Sequence, residues 1–153
     1  MDTLYLLLKL VHIVAVIIWV GGLLALGVVT ARLTRSGDVV GFAALRRQSQ
    51  FFGQSVVAPA AIVTLLAGGT MVARIGFGFT TLWVLWGVVG IVVSLLLGAF
   101  PIRRTGETVD TLASTTPDNP RMPALQSRLA TLSAINLIVL TSVVWAMVFK
   151  PTL

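Results

Sequence analysis

Few residues in this chain have side chains suited to chemistry. There is one histidine, His12, no cysteine, and only five carboxylates: Asp2, Asp38, Glu107, Asp110 and Asp118. Lys9 precedes His12 by three residues and Trp19 follows it by seven, spacings that set all three on similar faces of one helix. An ionisable group inside a membrane segment is a functional-site hypothesis by default, and neutral imidazole is the form that binds metal ions and haem iron. His12, with Lys9 and Trp19 beside it, is therefore a candidate haem site. Met71 and Met147 add soft sulfur donors and, with His12, make a candidate copper site. A plainer reading stands beside both: Lys9 snorkels to the headgroups, His12 hydrogen-bonds a neighbouring helix, and the methionines fill packing gaps.

The other residue types exclude a good deal. No carboxylate lies inside an apolar stretch, so the buried acid relay of proton pumps and ion-coupled transporters is missing. A Ser–His–Asp arrangement would lack a buried acid to orient His12, and no phosphate-cradling loop or nucleophile elbow occurs. The balance favours a non-enzymatic role. Polar residues within the apolar stretches are limited to groups such as Gln54, Thr64, Ser94, Asn136, Thr141 and Ser142, of which Asn136 suits bonding between helices.

The elements that must position these residues follow from composition. Of 153 residues 57% are hydrophobic and 10% charged, with a mean hydropathy of +1.00; a soluble domain carries about 25% charged residues. This chain has too few charges to cover a water-facing surface. Four stretches, roughly 4–31, 51–73, 82–100 and 129–149, reach the length of about 20 apolar residues needed to cross a bilayer as helix. Backbone groups in lipid must bond within their own segment, which selects helices over isolated strands. The expected fold is all-α, a single integral-membrane four-helix bundle over residues 1–153. The first stretch exceeds the roughly 7–15 apolar residues of a signal peptide and lacks an A-x-A cleavage site, so it reads as a permanent helix.

Cation placement predicts orientation. Arg32, Arg35, Arg46, Arg47, Arg103, Arg104, Arg121 and Arg128 lie between spans one and two or three and four, leaving Lys9, Arg74 and Lys150 for the other side. The positive-inside bias then makes both long connections cytoplasmic and both termini external, N-out and C-out. The net charge of +6 is thus a topology signal. Its arginines are split between two short loops without interleaved aromatics, which argues against nucleic acid and for anionic lipid headgroups as partners.

The connections have their own texture. Asp38 suits an N-cap for a short interfacial helix over Val39–Gln50. Pro101–Arg128 reads as a connection with an irregular Ser-Thr-Thr-Pro-Asp-Asn-Pro core, and Arg74–Thr81 as a short aromatic outer turn. Tyr5, Phe77, Phe79, Trp83, Trp86, Trp145 and Phe149 fit an interfacial belt. Pro59 is expected to kink span two. Gly21, Gly22, Gly27, Gly68, Gly69, Gly87 and Gly90 mark close helix approach. A faint echo between Trp19-Val-Gly-Gly and Trp86-Gly-Val-Val-Gly fits either two duplicated hairpins or chance.

The pattern Lys9-x-x-His12-Ile-x-x-x-x-x-Trp19-x-Gly21-Gly22, with the closing Phe149-Lys150-Pro151, resembles a group of small four-span bacterial membrane proteins. That group comprises a family of uncharacterised predicted integral membrane proteins, the copper-resistance D membrane domain and the HemJ-type protoporphyrinogen oxidase. The resemblance implies a multi-pass protein of the bacterial inner membrane. It also implies a haem-ligating role for His12, since the oxidase's first-helix histidine falls there. The oxidase's lysine near the start of the third helix is replaced by Leu82-Trp83-Val84-Leu85-Trp86, however, and its Asn-Glu-x-Pro pattern by Thr131-Leu132-Ser133-Ala134. Both departures argue against oxidase chemistry and favour the uncharacterised family.

Three functional expectations follow, in order. The first is a non-enzymatic accessory or binding subunit that packs against other membrane subunits or a second copy. Next comes a haem b-binding redox or haem-handling protein using His12, with Lys9 or a second protomer completing the iron. The third is periplasmic copper handling through His12 and the outer methionines.

Overall fold

A computed structural model describes residues 2–37, 39–76, 81–116 and 119–151. The expected cap at Asp38, the aromatic turn with Phe77 and Phe79, and Pro117 with Asp118 lie outside the described residues. Among the described residues there are six α-helices: α1 (Thr3–Ser36), α2 (Val39–Phe52), α3 (Ala58–Ile75), α4 (Leu82–Leu97), α5 (Arg103–Thr115) and α6 (Met122–Phe149). A π-helical turn, Gly53–Val57, joins α2 to α3, and a second, Gly98–Ile102, joins α4 to α5. The chain therefore makes four long apolar rods, each long enough to cross a membrane.

These rods outrun the apolar stretches. At 34 residues α1 is about 51 Å long, against a hydrocarbon core of about 30 Å. It begins where the Asp2 carboxylate accepts the Leu4 N–H at 3.3 Å. It ends at Gly37, whose left-handed φ of 68° lets its N–H reach the carbonyls of Leu33 and Thr34. The expectation that Pro101–Arg128 is a connection needs correction. Residues 103–115 are helical and α6 already starts at Met122, so only a short link remains. α5 is amphipathic, burying Thr105, Gly106 and Val109 against its neighbours, and that buried stripe sustains helix beyond the bilayer length.

Proline explains the irregular turns. Pro59 has no N–H for the Ser55 carbonyl, and its ring crowds that oxygen. The chain widens just before it, where the Ala58 N–H bonds Gly53 O five residues back. Pro101 lies within the second wide turn, where the Arg103 N–H reaches Gly98 O. The kink expected at Pro59 thus takes the form of a π-turn, a recognised cause of helix bending.

Packing is by hairpins. α1 lies chiefly along α3 and α4 along α6; α1 also meets α6, and α3 meets α4 more lightly. Trp19, Ala60, Ala61, Ile91 and Leu140 form the central core, one or two residues from each rod. Four of the expected glycine seams are real: a Cβ would press on Phe52 at Gly22, on His12 at Gly68, on Met147 at Gly87 and on Val143 at Gly90. Gly21, Gly27 and Gly69 are corrections to that expectation, since a Cβ on any of them would meet open space. The tryptophan echo does not extend to environment: Trp19 is 3% exposed and Trp86 52%.

The ends differ. At one, Arg74 at the end of α3 pairs with Asp2, and the Lys150 ammonium after α6 lies 5.5 Å over the Trp83 ring at the start of α4. At the other, Arg46 of α2 makes a two-pronged bond to Asp110 of α5, Nε–Oδ1 at 3.0 Å and Nη2–Oδ2 at 2.9 Å. Gly106 gives the guanidinium its place, because a Cβ there would overlap Arg46.

Candidate functional site

α1 is the least enclosed of the four rods, and His12 is its one half-buried ring with two polar nitrogens. Its Nδ1 lies 2.9 Å from the backbone carbonyl of Thr64 on α3. A carbonyl oxygen only accepts, so Nδ1 carries the hydrogen, and in the neutral ring the lone pair belongs to Nε2. This bond joins adjacent rods and fixes both the tautomer and the ring orientation. An imidazole tethered through one nitrogen to a backbone carbonyl is the usual outer-shell arrangement of a metal-ligating histidine.

Local sequence explains the fit. Gly68 sits one turn beyond Thr64, and a Cβ on it would stand 2.9 Å from His12 Cε1 and 3.2 Å from Nδ1. Only a bare Cα lets the ring lie flat against α3. The Thr64 hydroxyl turns back to Ala60 O at 2.8 Å, while the Thr64 carbonyl, with two lone pairs, can accept from His12. The sequence offers a signal for this pairing, a histidine on one span and a glycine pair on the next, but not the register that joins them.

The other expected site residues separate. Lys9 is exposed one turn outward on α1. Trp19 lies two turns inward, buried in the central core among Ala60, Ala61, Ile91 and Leu140. Met147 packs on Val72, Trp83 and Val84, with its methyl over Gly87. Met71 is half-buried on α3, three residues beyond Gly68 and so on the stripe that faces His12. Among the described residues no group of three or more His, Asp or Glu side chains gathers to hold a metal ion.

Asn136 of α6 was expected to bond between helices. It is 5% exposed, and its Oδ1 has no hydrogen-bond partner among the described residues. Trp86 supplies a polar bridge between rods that the sequence did not reveal, its indole N–H donating to Ser142 Oγ at 3.2 Å.

Four apolar rods, polar atoms kept to a few sites between them and cations gathered at one end define a multi-pass, all-helical integral membrane protein. A family model described as "Predicted integral membrane protein (DUF2269)" matches residues 6–151, and the chain belongs to that family. No curated protein and no solved structure matches it.

Proposed function

We propose that this is a non-enzymatic binding subunit of the bacterial inner membrane, with its basic end in the cytoplasm, in which His12 Nε2 would hold the iron of a b-type haem. The observation that carries the reading is the bond from His12 Nδ1 to the Thr64 carbonyl, which leaves Nε2 as the free donor. A haem bound there would supply one-electron redox chemistry; the chain's part is to hold and orient the imidazole. The chain would supply one nitrogen donor to the iron. Lys9, exposed on α1 three residues before His12, would offer its ammonium to an acidic group of the haem. Any further ligand would come from a second copy or another subunit, for which the exposed apolar surface of α1 leaves room. In this reading Trp19, packed in the core with Ala60, Ala61, Ile91 and Leu140, serves the packing of the rods.

The test is a visible spectrum of the protein purified in mild detergent, before and after dithionite. A Soret band that shifts on reduction and is absent from His12→Ala is expected. A colourless wild-type preparation that remains so after haem is added would remove the haem reading and leave the plain accessory subunit.

A further inference from the structure

At the basic end, the arginines differ in how they are neutralised. Arg46 is paired with Asp110 and Arg103 with Glu107. Arg104 of α5 and Arg128 of α6 have no carboxylate partner among the described residues. They converge instead on an open surface hollow of about 390 Å³ whose remaining lining is Phe100, Pro101, Thr105, Thr108 and Leu125. The Arg104 guanidinium stands 6.0 Å over the Phe100 ring, a contact that draws it toward this hollow.

Thr105 adds a hydroxyl donor to the lining. Thr108, Thr111 and Thr115 of α5 each donate their hydroxyl to a carbonyl one turn back. For Thr105 that carbonyl belongs to Pro101, inside the π-turn, and no such bond forms. The residue as a whole is 6% exposed, but its hydroxyl makes no hydrogen bond among the described residues and is not sealed from the surroundings, and Thr105 lines the hollow. A hydroxyl that is accessible beside two cations is free to donate to an anion.

We propose that this hollow binds the phosphate of one anionic glycerophospholipid, with Arg104 and Arg128 facing the charge and Thr105 donating to a phosphate oxygen. Three features select the ligand. Two uncompensated cations repel the ammonium of a zwitterionic headgroup. The floor of Phe100, Pro101 and Leu125 is apolar and continues the lipid-facing surface, as a glycerol backbone and its chains require. The hollow also opens where the apolar stretch of α4 ends, at headgroup depth. Basic pockets between transmembrane helices on the cytoplasmic side recognise lipid headgroups in this manner.

Native mass spectrometry of the full chain, released from micelles containing phosphatidylglycerol or phosphatidylcholine, tests the assignment. One phosphatidylglycerol is expected to stay on the wild type and phosphatidylcholine to leave. Replacing both cations, Arg104→Gln with Arg128→Gln, is expected to weaken retention roughly thirty-fold. The near-isosteric Thr105→Val keeps the fold and all the charge, and is expected to weaken retention several-fold. The control is Arg32→Gln with Arg35→Gln, which removes equal charge from the same end of the bundle. Those two arginines border a surface hollow lined by α1 alone, and the control is expected to retain lipid as the wild type does. Equal loss in both double variants, unchanged retention in Thr105→Val, equal retention of phosphatidylcholine, or displacement of the lipid by millimolar inorganic phosphate would each overturn the proposal.

Discussion

His12 and Gly68 work as a pair, and the pair can be broken from the glycine side. In an exposed helix Gly→Ala gains about 1 kcal/mol of propensity. Gly68→Ala is expected to forfeit that gain, because its Cβ would stand 2.9 Å from the imidazole and drive the ring off Thr64 O. The expected result is a shifted or weakened Soret band with helical content unchanged by circular dichroism. Asn136 makes the opposite prediction. Its orphaned Oδ1 carries a desolvation cost of roughly 1–3 kcal/mol, so Asn136→Leu is expected to hold or raise the thermal midpoint in detergent. A clear fall would mean that the amide has a partner. Sequence alone placed His12 as the polar group to watch, since it is the one histidine in an apolar run. It did not reveal that the partner would be a backbone carbonyl, because every residue carries one and only the register of α1 on α3 chooses among them.

The four spans were legible as elements because charge is nearly absent from them and length alone then selects helix. Their ends were not. α5 extends the third rod through polar residues, held by the buried stripe of Thr105, Gly106 and Val109, and a hydropathy reading stops at Phe100. Likewise Pro59 signalled an irregularity, while its form as a π-turn at Gly53–Val57 depends on how α2 and α3 continue across it. The Arg46–Asp110 bond ties α2 of one hairpin to α5 of the other, over 64 residues of sequence. Arg46 is 21% and Asp110 41% exposed at the side chain, so screening limits the pair to about 1 kcal/mol. A double-mutant cycle of Arg46→Gln and Asp110→Asn, read by thermal unfolding in detergent, is expected to give a coupling of that size. Additive effects would show that the hairpins are not joined there.

For the whole molecule, the account depends on four apolar rods crossing the bilayer with the arginine-rich end in the cytoplasm. That arrangement sets His12 toward the outer side and the Arg104–Arg128 hollow at the inner leaflet, so both proposed sites inherit their surroundings from it. The natural chain has no cysteine, which makes it suited to single-cysteine labelling without background. Thr3→Cys and Ser114→Cys alter exposed residues at opposite ends of the rods. In intact cells treated with a membrane-impermeant maleimide, Thr3→Cys is expected to label at once and Ser114→Cys only after the membrane is opened. Labelling of Ser114→Cys in intact cells, with Thr3→Cys protected, would contradict the account.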